Sequence, residues 1–127
     1  MNPQKASRQD WKTQPIPDTK AKLKIERIFT KAEYECLSWG LIPINTEEKW
    51  FIYFEDDWLY CHRSWTGFCI YQLRLDKNDD GYKVSEAWVN RDSSQYTGDN
   101  ESYDVKSMLG LINLIIQINR SNNLQKL

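Results

Sequence analysis

KWFIYFEDDWLYCHRSWTGFCIYQLRL, residues 49–75, decides the fold. Aromatic and β-branched residues fill it in three runs, KWFIYFE (49–55), WLYCHRS (58–64) and FCIYQLRL (68–75), as half-buried strands require. Asp56-Asp57 and Thr66-Gly67 separate the runs as two-residue turns. DKNDDG (76–81) reads as a polar loop, and YKVSEAWV (82–89) as a fourth strand. The pattern predicts an antiparallel meander.

Two helices flank it. Thr30-Lys31-Ala32-Glu33 has capping-box form, so a short helix starts at Thr30 and stops at Gly40. Residues 90–102 (NRDSSQYTGDNES) are a loop, and Ser102 or its neighbouring acids cap a long helix over about 103–120. From Met108 to Ile118 that helix is apolar on most faces, so it is buried on more than one side. One side packs on the sheet; the other meets the Thr30 helix or a second subunit. Residues 22–29 alternate loosely and fit either a short strand or a helical lead-in. Residues 1–17, with Pro3, Pro15 and Pro17, form an extended basic arm anchored by Trp11, and residues 18–127 a single domain. The fold class is α+β: an antiparallel sheet of four to five strands with a long C-terminal helix on one face and a short N-terminal helix.

The 127 residues suffice for one domain with its own core. No apolar run reaches the roughly 18–20 residues that a bilayer span needs. The N-terminus lacks the apolar stretch of a secretory signal. Three cysteines without metal-ligand spacing imply a reducing compartment, hence the cytoplasm. Residues 1–31 carry eight Lys/Arg against three Asp/Glu (+5), and residues 32–127 nine against fifteen (−6). A basic arm on an acidic body binds an acidic partner, nucleic acid or the body itself. The acidic body repels phosphates and disfavours nucleic acid.

Strand alternation sorts the side chains. Two-residue turns would pair Tyr53 with Tyr60, Phe51 with His62, His62 with Tyr71 and Tyr60 with Leu73. Phe51, Tyr53, Trp58, Tyr60, His62, Ser64, Cys69, Tyr71 and Leu73 then share one face, while the more aliphatic opposite face meets the C-terminal helix. Rings with polar tips suit a shallow ligand or partner surface. The alternative is that the arm covers this face through Trp11 or Trp39. A one-residue slip in either turn would exchange the faces. Cys61 and Cys69 fall on opposite faces, so no disulfide joins them.

HRSWTG (62–67) is the densest polar-aromatic stretch. His62 is the only histidine. It has no zinc partners at ligand spacing, and it reads either as a general base or as a strand histidine stacked between Phe51 and Tyr71. Ser64 lacks a nucleophile elbow. Arg63 pairs with Glu55 or Asp57, or takes an anionic ligand. Trp65 and Arg91 complete the candidate binding set of Phe51, Tyr53, Tyr60, His62, Arg63, Ser64, Trp65, Tyr71 and Arg91. No catalytic residue, metal ligand or cofactor motif is assigned.

Residues 49–71, together with EAWVNRD at 86–92, resemble small uncharacterised bacterial proteins, some of the kind carried on mobile gene cassettes. The resemblance implies a one-domain bacterial cytosolic protein. It implies no activity and transfers no site residue. The expected function is that of a small accessory binding protein acting through the aromatic face and the HRSWTG turn. Its target would be a protein or a small anionic or aromatic ligand. The alternatives are a small enzyme or nucleotide-derivative binder using His62 with Arg63 or Arg91, and a homodimer built on the C-terminal helix.

Overall fold

The computed structural model describes residues 4–45 and 47–123. Its elements are a 3-10 turn (Arg8–Asp10), β1 (Lys20–Lys22), β2 (Ile28–Phe29), α1 (Lys31–Trp39), β3 (Trp50–Glu55), β4 (Trp58–Arg63), β5 (Cys69–Asn78), β6 (Gly81–Asn90) and α2 (Glu101–Asn123). The fold is α+β. One antiparallel sheet runs β1-β6-β5-β4-β3, and β2 pairs with the same edge of β6 as β1. The ambiguous stretch 22–29 therefore runs from the last residue of β1 through a detour into the short edge strand β2.

The β3–β4 hairpin follows its sequence. Asp56 and Asp57 both have positive φ (53° and 72°), which a tight two-residue loop needs for its twist to match the strands. Tyr53 lies opposite Tyr60 and Phe51 opposite His62. The next connection differs from expectation. Arg63 N–H donates to Phe68 O, closing a loop of residues 64–67 rather than a two-residue turn. Ile70 is then an extra residue in β5, since His62 pairs with Cys69 and Cys61 with Tyr71. The bulge moves Tyr71 and Leu73 to the helix-covered face and turns Gln72 and Arg74 outward, beside Tyr60 and Trp58.

DKNDDG is also corrected. β5 continues to Asn78 and β6 begins at Gly81, so only Asp79 and Asp80 form the loop. Gly81 takes φ 144°, and a side chain there would strike Phe29 O at 2.4 Å. The strand ends are exposed at Lys77 and Asn78, so polar residues suit this projecting ribbon.

The main core lies between the sheet and both helices. Ile52, Leu59, Tyr71, Leu73, Leu75 and Val89 meet Leu37 of α1 and Met108, Ile112 and Ile115 of α2. The expected cap of α1 forms: Thr30 Oγ1 accepts from Glu33 N–H, and Glu33 Oε1 accepts from Thr30 N–H. Asn100 caps α2, two residues earlier than the Ser102 reading, by accepting from Tyr103 N–H at 2.9 Å. Asn119 Nδ2 of α2 donates to Cys36 O and Gly40 O, answering carbonyls at the end of α1. The second side of α2 thus meets α1.

Residues 4–17 cross the other face as a strap. Ala6 N–H donates to Trp39 O (2.9 Å) and Gln14 N–H to Gly67 O (2.9 Å). Trp11 stacks on Phe51 with centroids 5.9 Å apart, and its Nε1–H donates to Ser64 O at 2.7 Å. A small second core of Ala6, Phe51 and Tyr53 forms beneath it. The arm is packed on the body, and Trp11 is its anchor.

Candidate functional site

The strap divides the aromatic face. Under it, Phe51, Tyr53, His62 and Ser64 are buried. His62 stacks on Tyr53 at 5.6 Å and 12°, with Phe51 at 6.4 Å. Tyr71 is not its neighbour; it lies on the helix side, 1% exposed. The His62 Nδ1–H donates to Gly67 O at 2.9 Å, which leaves Nε2 as the acceptor of a neutral ring. Nε2 is buried and has no partner among the described residues. Burial lowers the pKa of His62, and the Gly67 carbonyl opposes that shift more weakly. Burial also pushes Tyr53 up to about 12.

Beyond the strap, Trp58, Tyr60, Gln72, Arg74, Glu86 and Trp88 remain half-buried. Here the polar groups already satisfy one another. Lys20 and Lys22 sit 5.0 and 5.4 Å from the Trp88 ring, Trp88 Nε1–H donates to Glu86, and Arg74 bonds to Asp76. A depression of about 850 Å3 lies beside β6 under the detour. It mixes Lys24, Arg27 and Lys83 with Glu26, Asp76 and Glu86, so charges of both signs face one another.

The loop 64–67 is different. Trp65 is 70% exposed, and a cleft lies on each side of it. One, of about 340 Å3, is lined by Lys49, Arg63, Ser64, Trp65, Thr66 and Gln95. The other, of about 250 Å3, is lined by Trp11, Pro43, Ile44, Asn45, Ser64 and Trp65. Ile44 on its rim is 85% exposed. Single exposed apolar residues are ordinary; a tryptophan and an isoleucine flanking two clefts form a patch.

The first cleft is rich in donors. The Arg63 guanidinium lies 4.6 Å from the Trp50 ring, and Trp50 stacks in turn on Tyr71. Among the described residues Arg63 has no carboxylate in ion-pair range; Glu55, its expected partner, pairs with Arg8 instead. Gln95 Oε1 is taken by Asn90 Nδ2, which leaves the Gln95 amide hydrogens to give. Thr66 Oγ1 accepts from Phe68 N–H, which leaves its hydrogen to give. Ser64 has committed its own hydrogen to Glu48 O. No Asp or Glu lines this cleft.

Compared with protein-family models, curated proteins and solved structures, the chain matches none.

Arg63, Ser64 and Trp65 thus belong to one site. Arg91 lies in another group. Its Nη2–H donates to Asp104 Oδ2 at 2.6 Å and its Nη1–H to Gly98 O, while Tyr71 and Tyr96 hydroxyls donate to Asp104 Oδ1. Burial raises the pKa of both tyrosines, so they stay donors. This group anchors the loop that carries Gln95. Sequence reading missed Lys49, Gln95, Pro43 and Ile44. Lys49 was legible only as a strand start and Gln95 as one residue of a polar loop. All three cysteines are free and buried. Among the described residues, no group of three His, Cys, Asp or Glu could hold a metal, and no helix is long and apolar enough to cross a membrane.

Proposed function

We propose that this is a binding protein whose loop 64–67 docks an acidic segment of a partner protein. The observation that carries the reading is the donor-rich wall of the first cleft, which no described carboxylate lines. Lys49, Arg63, Thr66 and Gln95 all have hydrogens to give, and no carboxylate competes for them. A carboxylate is the natural occupant, because it accepts up to four hydrogen bonds and pairs with the guanidinium fork. The second cleft, walled by Trp11, Pro43 and Ile44, takes an apolar side chain of the same segment. Trp65 stands between them as the anchor. Tryptophan and arginine are the residues that most often dominate interfaces of this kind. The depth and volume of the clefts suit side chains of an extended peptide better than a fully enclosed metabolite.

Catalysis by His62 with Arg63 or Arg91 has less support. His62 lines neither cleft, and Arg91 is engaged by Asp104. For the homodimer reading, the exposed large hydrophobic residues along α2, among the described residues, are Tyr103 and Leu114.

The test is a titration of the ¹⁵N-labelled protein with blocked peptides carrying one Glu flanked by Leu or Phe, and with the same peptides carrying Gln. The Glu peptides should shift the Trp65 indole and Arg63 signals, and Arg63→Ala should weaken them about 5- to 10-fold, the size of a partly exposed charge pair. Trp65→Ala should cost about 30-fold or more. Equal binding of Glu and Gln peptides, or shifts mapping away from loop 64–67, would refute the reading. Benzoate binding more tightly than any peptide would move it to a small aromatic carboxylate.

A further inference from the structure

We propose that the strap (residues 4–17) is a proton-operated latch on the Trp65 site: it docks over neutral His62 and lifts when the ring takes a second proton. The effect on ligand binding rests on the function proposed above, because Trp11 walls one of the two clefts. The latch itself rests on independent geometry.

The Gly67 carbonyl is the hinge point. It accepts from His62 Nδ1–H at 2.9 Å and from Gln14 N–H of the strap at 2.9 Å. Gly67 has φ 81°, and a side chain there would lie 2.9 Å from Lys12 O, so strap and loop press backbone to backbone. Trp11 Nε1–H bonds to Ser64 O in the same loop. His62, the loop and the strap are therefore one connected unit.

The ring beneath is poised for one protonation state. His62 is 2% exposed, and among the described residues its Nε2 has no partner. A second proton would place an N–H donor, and a charge, where no acceptor waits. The sheet neighbours on that face offer no counter-charge. Tyr53, Tyr60 and Cys69 all have pKa values raised by burial and stay neutral from pH 4 to 8. On β3, Glu55 pairs with Arg8 of the strap. The strap's other charges are Lys5, Asp10 and Lys12, and Asp10 is bonded to Ser7 N–H. Only burial and the Gly67 carbonyl act on the His62 titration. Stacking of an imidazolium on Tyr53 returns part of the cost but supplies no acceptor for Nε2. The strap covers this part of the face together with Ile42 and Tyr60, on the side of the sheet opposite the main core, so lifting it opens the ring to water without disturbing that core.

The sign follows. The folded pKa lies below the unfolded one, so the unfolded or undocked state binds more protons. The docked state is fully stable above the ordinary imidazole range and weakens as pH falls below it.

The experiment uses the full-length ¹⁵N-labelled chain without any peptide, from pH 7.5 to 4.5. Exchange protection factors, corrected for intrinsic pH dependence, are read at Trp11 Nε1–H, at Gln14 N–H and along α2. Strap protection should fall by up to about tenfold per pH unit as pH drops below the ordinary imidazole range and level off once the docked His62 ring itself takes the proton, while α2 protection holds. His62→Phe, or His62→Gln if that variant does not fold, should abolish the pH response of the strap. The latch is overturned by strap protection that stays constant as pH drops below the ordinary imidazole range, by strap and α2 opening together, or by an unchanged response in the variants. Peptide binding at pH 7.5 is read separately. Its failure removes the proposed function and leaves the latch standing.

Discussion

Removing the Asp104 carboxylate should be among the most damaging single changes to this fold. Asp104 is fully buried in the first turn of α2. Its Oδ1 accepts from Tyr71 at 3.0 Å and Tyr96 at 2.6 Å, and its Oδ2 from Arg91 at 2.6 Å. Asp104→Ala leaves a guanidinium with 19% of its side chain exposed, and two phenol hydrogens, without their acceptor. Breaking a buried pair from one side costs about 3–5 kcal/mol, and the lost carboxylate at the helix N-terminus adds roughly 0.5. A domain of this size has about 5–15 kcal/mol in total, so the variant should lose about a quarter or more of its stability. Urea unfolding followed by far-UV circular dichroism should show a lower midpoint at unchanged slope. The melting temperature should drop by roughly 10–20 °C. Asp104→Asn keeps the shape and one acceptor, and should cost less. Because Arg91 loses only one of its two acceptors, Arg91→Met combined with Asp104→Ala should cost less than the sum of the two. A loss under about 1 kcal/mol in Asp104→Ala would refute the view that this carboxylate joins sheet, loop and helix.

Three further outcomes follow from particular positions. Asp57→Gly should stabilise the protein by about 0.5–1 kcal/mol in the same urea assay, because Asp57 holds φ 72° in a two-residue hairpin loop. Gly40→Ala should fold poorly and melt at least 10 °C lower by roughly the largest single-site margins, since its Cβ would lie 2.1 Å from Ile52 O at φ 66°. Burial raises the pKa of Cys36, Cys61 and Cys69, the last to about 12, so at pH 8 each is a thiol rather than the reactive thiolate. An aromatic disulfide reagent should label them only as fast as the protein opens; a rapid burst of labelling in the native state would contradict their burial.

The legible parts of the fold were those with local causes. The Thr30 cap, the Gly40 stop and the Asp56-Asp57 loop are each set by two or three adjacent residues. Pairing across β3 and β4 followed from that loop alone. The register of β5 did not, because it depends on the size of loop 64–67 and on the Ile70 bulge. Both are held from a distance, by Trp11 on Ser64 O and by Gln14 and Lys12 against Gly67. That one slip took Tyr71 out of the aromatic face and brought Gln72 and Arg74 into it. The site shows the same division. HRSWTG stood out as a local string, whereas Lys49, Gln95 and Ile44 reach Trp65 from three separate segments and carry no mark in the sequence of doing so.

The charge asymmetry and the aromatic excess turn out to be parts of one arrangement. The basic N-terminal segment spends its cations on the body: Arg8 pairs with Glu55, Lys20 and Lys22 flank Trp88, and Arg27 reaches Glu33 and Asn113. The rings under residues 4–17 are the ground on which that segment docks. A basic arm bound to its own domain has little field left to attract nucleic acid. What is left over is the more telling part. Lys49 and Arg63 belong to the acidic portion of the chain, yet among the described residues neither has an ion pair. Both line the cleft beside the most exposed tryptophan. What supports the proposed acidic partner is their placement in one concavity that no described carboxylate lines, since many other cations of the chain also stand outside ion pairs.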